Sequence, residues 1–283
     1  MIVQPLATVK TLARLSGLAL AREANCLLAW DAGQKLYLWD LDGKPRGQQT
    51  APVPISAVGI SDDGSRIVAA SRNGQLWWFD GNLQLLFDHA ADIEPVALAL
   101  ESFGGALAVS SRSRQTHLYN ATGQLQATIE TPKALQFLSF VPSQTRLVGA
   151  ADFGLIACFD ARGQTVWQQV VVSHIGSICV DGMGQAVWAA CYTDGLRRFD
   201  PHGKEREVVR TGSSCRLTCC DFDGAMLLTS QEPASLSLLK PDGRVLSSYT
   251  MSRHAAFLVM DALGERGAFA PADGQVTLFA VQN

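Results

Sequence analysis

LYLWDLDG at residues 36–43 returns, changed but recognisable, as LWWFDGN at 76–82, HLYNATG at 117–123, IACFDARG at 156–163, LRRFDPHG at 196–203, LSLLKPDG at 236–243 and VTLFAVQ at 276–282. The strand residues that close these segments are Trp39, Phe79, Tyr119, Phe159, Phe199, Leu239 and Phe279, each 40 residues after the one before. Six of the seven are aromatic, and the next residue is Asp40, Asp80, Asn120, Asp160, Asp200, Lys240 or Ala280. Self-similarity at a period in this range marks a structural unit that is stacked rather than a domain that is duplicated.

The register extends outward from these marks without gaps. One column reads Leu20, Ile60, Leu100, Phe140, Val180, Cys220, Met260, and the column before it reads Ala19, Gly59, Ala99, Ser139, Cys179, Cys219, Val259. Neighbouring strand residues point to opposite faces. The first strand of each unit therefore has a large side and a small side, as sheets packed face to face require. The second strand is a nearly unbroken apolar run (CLLAW at 26–30, RIVAAS at 66–71, AVWAA at 186–190), which means burial on both faces. The fourth is polar, as in Arg46–Gln49 and Glu205–Glu207. Asp63-Gly64, Asn73-Gly74, Asp194-Gly195, Asp223-Gly224, Asp242-Gly243 and Asp273-Gly274 supply turns.

These features predict an all-β, seven-bladed β-propeller of four-stranded antiparallel blades. The blades fall near 11–50, 51–90, 91–130, 131–170, 171–210, 211–250 and 251–283 plus 1–10, within one domain spanning 1–283. The final strand is the third of its unit. Residues Val3 to Val9 occupy fourth-strand register, so the N-terminal segment is expected to complete the last blade beside 275–280.

The pattern Asp/Asn-Gly-x-φ-x-φ-Phe/Trp-Asp, with φ apolar, resembles the WD-repeat family. Asp194-Gly195 to Phe199-Asp200 and Asn73-Gly74 to Phe79-Asp80 carry it best, and Trp39-Asp40 is a literal Trp-Asp pair. The turns FDARGQ at 159–164 and FDPHGK at 199–204 are also similar to bacterial quinoprotein-like propeller repeats. The Gly-His pair that opens a typical WD repeat is missing from all seven units, with His174 and His254 only near its place, so packing is expected to hold the blades. The resemblance implies a platform for protein partners.

Composition narrows the function classes. Charged residues make up 17% and hydrophobic residues 47%, enough apolar material for a core and too little charge for disorder. A net charge of −3 argues against general phosphate-backbone binding, so nucleic acid is an unlikely partner. No apolar run is long enough to span a membrane. The opening residues lack a basic segment followed by a continuous apolar stretch, and Pro5 interrupts them, so no export signal is expected. Seven cysteines, an odd number without a C-x-x-C pair, suit a reducing cytoplasm.

Catalytic signatures are missing. There is no phosphate loop, no G-x-S-x-G elbow and no H-E-x-x-H. DGMG at 181–184 leads into a strand, where a dinucleotide fingerprint needs a helix. The group Cys179, Cys191, Cys215, Cys219 and Cys220 reads as small buried hydrophobes. His174 and His254 share one register position two blades apart and read as loop histidines. Asp152, Asp194, Glu232 and Asp273 fall near a channel mouth on four blades, where a lactonase-like hydrolase would place its carboxylates. Trp30, Trp39, Trp167 and Trp188 read as packing. Of Trp77 and Trp78, one is expected to face a neighbouring blade and the other to be half exposed.

Loops joining second to third strands share a face of the disc with loops joining one blade to the next. Their leading column reads Ala32, Arg72, Arg112, Asp152, Tyr192, Glu232, Ala272, a variety that strand packing does not demand. Arg72, Arg112, Arg114, Lys133, Asp152, Phe153 and Tyr192, across blades two to five, are therefore the expected partner-binding residues, with Glu232 on the sixth. Asp92 and Glu94 lie close enough in register to pair with the arginines. The leading expectation is a non-enzymatic, cytoplasmic scaffold or assembly subunit, without cofactor or metal. Its loops would take a protein partner, in the form of an acidic or mixed-charge peptide. The alternative is the hydrolase at the channel mouth.

Overall fold

A computed structural model describes residues 1–282. It is all-β: seven four-stranded antiparallel sheets stand around a central axis. Blade 1 consists of Leu15–Ala21, Cys26–Asp31, Lys35–Asp40 and Pro45–Thr50, from axis to rim. The same order recurs through blade 6. Blade 7 takes Phe257–Met260, Arg266–Ala270 and Gln275–Gln282 from the C-terminal end and Ile2–Lys10 as its outer strand. Val3 pairs with Val281 and Val9 with Val276, which is the expected closure. Pro5 lies on this outer strand where the register shifts, a place that tolerates a residue without an amide hydrogen.

The core lies between the blades. Seven apolar clusters among the described residues fill the seven junctions. Ile60 and Ala19 meet in the cluster between blades 1 and 2, and Leu20 and Val259 meet in the one between blades 7 and 1. Each blade thus turns its large inner residue toward the small residue of the preceding blade. Strand alternation sends Trp77 into the first of these junctions and Trp78 into the next. Both are buried, at 6% and 2% exposure, which corrects the expectation that one is half exposed. The third strand is covered on both faces, so it has no solvent side to offer.

The residue after the closing aromatic builds the turn to the outer strand. Asp40 Oδ1 accepts the amides of Asp42 (2.9 Å) and Lys44 (2.8 Å). Asp80, Asn120, Asp160 and Asp200 do the same two and four residues on. Where the sixth unit has Lys240, Asp242 Oδ1 accepts the Arg244 amide instead. At Ala280 no turn is needed, because the strand continues to Gln282. The repeat's carboxylate is thus turn chemistry.

The two ends of the channel are built differently. On the lower face the loops joining first to second strands form a belt of backbone bonds from blade to blade. Gly182 N donates to Phe222 O, Phe222 N to Ala262 O, and Ala262 N to Arg22 O. The belt continues from Glu23 N to Asp62 O, from Asp63 N to Ser102 O, and from Ser143 N to Gly182 O. Six of the seven junctions are so joined among the described residues, the exception being that between blades 3 and 4. Arg22 reaches past blade 7 and donates to Cys220 O at 2.9 Å, narrowing the channel just above the belt.

Candidate functional site: the upper face

The upper face carries the loops from second to third strands and those between blades. They are laced together by backbone bonds: Ala32 N to Arg14 O, Ala91 N to Gly74 O and Tyr192 N to His174 O, at 2.8–3.0 Å. Each turn between second and third strands places one residue in the left-handed region: Gln34, Gly74, Arg114, Gly154, Gly195, Ala234 or Gly274. At Gly74 the glycine is required, because a Cβ would lie 2.2 Å from Ala91 O. Arg114 adopts the same conformation with φ of 67°, an uncommon setting for a long side chain.

The expected binding residues divide into two groups. Over blades 4 to 7 all but the Asp152 side chain have side-chain or backbone partners. Lys133 Nζ donates to Phe153 O at 2.9 Å and sits 5.0 Å from the centre of the Phe153 ring, whose other neighbour is His174 at 5.1 Å. Tyr192 lies under the Arg216 guanidinium at 5.5 Å. Arg216 also pairs with Glu232 at 2.8 Å, and Glu232 with His254 at 3.2 Å. Burial alone would lower the Arg216 pKa, but Glu232 and Tyr192 hold it above its ordinary value. Of the mouth carboxylates, Asp194 pairs with Arg197 (2.7 Å), Asp273 with Arg253 (3.0 Å) and Glu232 as above, each on its own partners. Asp152 is exposed, and its backbone amide donates to Gln136 Oε1 at 3.0 Å.

Over blades 1 to 3 the pattern is different. Arg72, Arg112 and Arg114 are exposed and, among the described residues, make no side-chain hydrogen bond or ion pair. Among the described residues neither Asp92 nor Glu94 forms an ion pair with them, although both line hollows beside Arg72. Arg72 and Arg112 line a cavity of about 800 Å³ at the channel mouth, together with Arg14, Glu94 and an apolar floor that includes Ile55, Val96 and Phe257. A second hollow of about 700 Å³ shares Arg72 and Glu94 with the first and adds Asn73, Asp92, Ile93 and Ser113. A third, of about 370 Å³, shares Ser113 and adds Arg114, Gln115 and Glu130.

Sequence reasoning missed Arg14, Arg216 and Arg197. Arg14 was within reach, since it shares a column with Glu94, His174 and His254 on the same face. Arg216 and Arg197 sit inside strands, where register gives a height and a blade but not a partner.

The cysteines are all unpaired thiols. Burial pushes Cys191 up to about 11 and Cys215 up to about 12, so both stay protonated and unreactive at neutral pH. Among the described residues no helix is long and apolar enough to cross a membrane. No protein-family model matches the chain and no curated protein matches its sequence, so the face itself carries the functional reading.

Proposed function

We propose that the protein is a non-enzymatic interaction scaffold or assembly subunit, WD-repeat-like in kind, working in the cytoplasm and presenting its upper face to a protein partner. The observation that carries this reading is the contrast across that face. Its loops are pre-set by backbone bonds, while the arginines of blades 1 to 3 stay exposed and unpaired. Preformed loops lose little conformational entropy on association. Arginine is favoured as an interface anchor. Exposed Leu12, Val170 and Val172, at 80%, 69% and 73%, add apolar surface on the same side. The unpaired thiols support a reducing compartment, and the net charge of −3 supports a protein rather than a nucleic-acid partner.

The test is affinity capture from native cells followed by reconstitution from two purified components. The expected result is a defined complex that forms again in vitro and weakens on substitution of upper-face residues such as Arg72, Arg112 and Tyr192. A chain that forms no reconstituted complex, or that turns over lactones at enzymatic rates, would contradict the reading.

A further inference from the structure

We infer that the upper face binds an extended peptide segment in one direction, along a radial groove over blades 2 and 3, with an acidic end seated in the channel mouth. The inference rests on reading this face as the partner-binding one, and it adds the path, the polarity and the chemistry of the occupant.

The path follows from the shared walls of the three hollows. Arg72 and Glu94 belong to both the mouth cavity and the next hollow, and Ser113 joins that hollow to the outermost one. Adjoining in this order, the three hollows give the segment a path from the axis toward the rim. Its outer end runs beside the start of the third strand of blade 3, at Gln115. A path of this shape suits a single extended strand of chain, since it lies on turn and strand backbone that is already fixed.

The polarity follows from the charges. The mouth holds three arginines, Arg14, Arg72 and Arg112, against one carboxylate, Glu94. The middle hollow holds Asp92 and Glu94 against Arg72 alone. A segment with carboxylates at its inner end and ammonium groups over the middle hollow meets complementary charge along its length. The reverse orientation meets like charge at both places, which is costly where charges are partly desolvated. Arginine forks also match carboxylates better than single point charges do.

The same charges discriminate against other anions. A nucleic-acid strand carries phosphate at every step and would meet Asp92, Glu94 and Glu130 along the path. In the lower channel the one arginine among the described lining residues, Arg22, is engaged with Cys220 O, beside the half-buried Cys179 and Cys219 and the buried Cys220.

The experiment is fluorescence anisotropy on the full chain. One fluorescein-labelled peptide has lysines at its labelled end and glutamates at its free carboxyl end. Its counterpart has the same composition with lysines and glutamates alternating, so that neither orientation offers an acidic end to the mouth. The acid-ended peptide is expected to bind at least about tenfold tighter than its counterpart. The triple change Arg14→Ala, Arg72→Ala, Arg112→Ala is expected to remove this preference with the melting temperature unchanged. Arg210→Ala, on the far half of the face, is expected to leave it intact.

Equal binding of the two peptides, or binding indifferent to the triple change, would overturn the inference. So would a labelled single-stranded oligonucleotide binding more tightly than the acid-ended peptide, or succinate displacing it at comparable concentration. A reconstituted partner complex that ignores the triple change would remove the groove assignment and leave the scaffold reading standing.

Discussion

At Gly17 the repeat makes a local exchange that shows how closely the blades are fitted. Elsewhere the second strand offers a small residue at this height: Ala70, Ser110, Ala150, Ala190, Ser230 or Ala270. Blade 1 has Trp30, and its paired residue on the first strand is Gly17. A Cβ added at Gly17 would lie 1.9 Å from the Trp30 ring. Gly17→Ala is therefore expected to cost about 2 kcal/mol through overpacking, read as a lower denaturant midpoint. In a Trp30→Ala background, itself destabilised by the lost core ring, the added cost of Gly17→Ala should largely vanish; strictly additive losses would contradict the contact. Two histidines give a second prediction at this scale. His89 stacks on Trp78 at 5.0 Å, and His117 Nδ1 lies 3.1 Å from the Tyr119 hydroxyl. Burial lowers both pKa values below the ordinary 6.5. The unfolded chain then binds more protons than the folded one between those depressed values and 6.5, so stability falls as pH drops through that window. Burial raises Asp62, Asp221 and Asp261, which act in the opposite sense above 3.8. Comparison with His89→Phe isolates the imidazole: the variant should lose less melting temperature than the native chain between pH 7.5 and 5.5. An identical slope in both would contradict the assignment.

At the scale of strands and turns, the outer strand Ile2–Lys10 joins two ends of the chain that are far apart in sequence. Val3 is 2% exposed in the cluster between blades 6 and 7, while Ala7 and Val9 pack on the cluster between blades 7 and 1. Removing residues 2–10 strips an edge from Gln275–Gln282 and opens both junctions. The melting temperature is expected to fall by about 10 °C or more, and an unchanged value would reject the closure. Most of this level was readable in the sequence because the period is 40 throughout, so columns such as Leu20 to Met260 and Trp39 to Phe279 align without gaps. What could not be read was lateral direction. Trp77 and Trp78 differ by one position, and a two-sided strand buries both. Arg216 reaches Tyr192 across a blade junction, a contact between unrelated columns that no periodicity encodes.

Across the whole molecule, the two faces differ in kind. The lower one is cinched by the backbone belt and carries its exposed apolar residues singly, with Phe103, Met183 and Leu263 on blades 3, 5 and 7. The upper one is open at the axis, with its ion pairs gathered over blades 5 to 7 and its unpaired arginines over blades 1 to 3. The fold and the height of the site residues were legible in the sequence. This division of charge was not, because it depends on which side chains meet across the ring. The proposed function has a rigid disc engage its partner through the arginine half of one face. Amide hydrogen exchange, with and without saturating acid-ended peptide, tests that most directly. The expected result is slowed exchange at 72–75, 91–95 and 112–115, with the lower loops at 62–65, 102–105 and 182–185 unchanged. Slowed exchange confined to the lower loops, or no change anywhere, would contradict it.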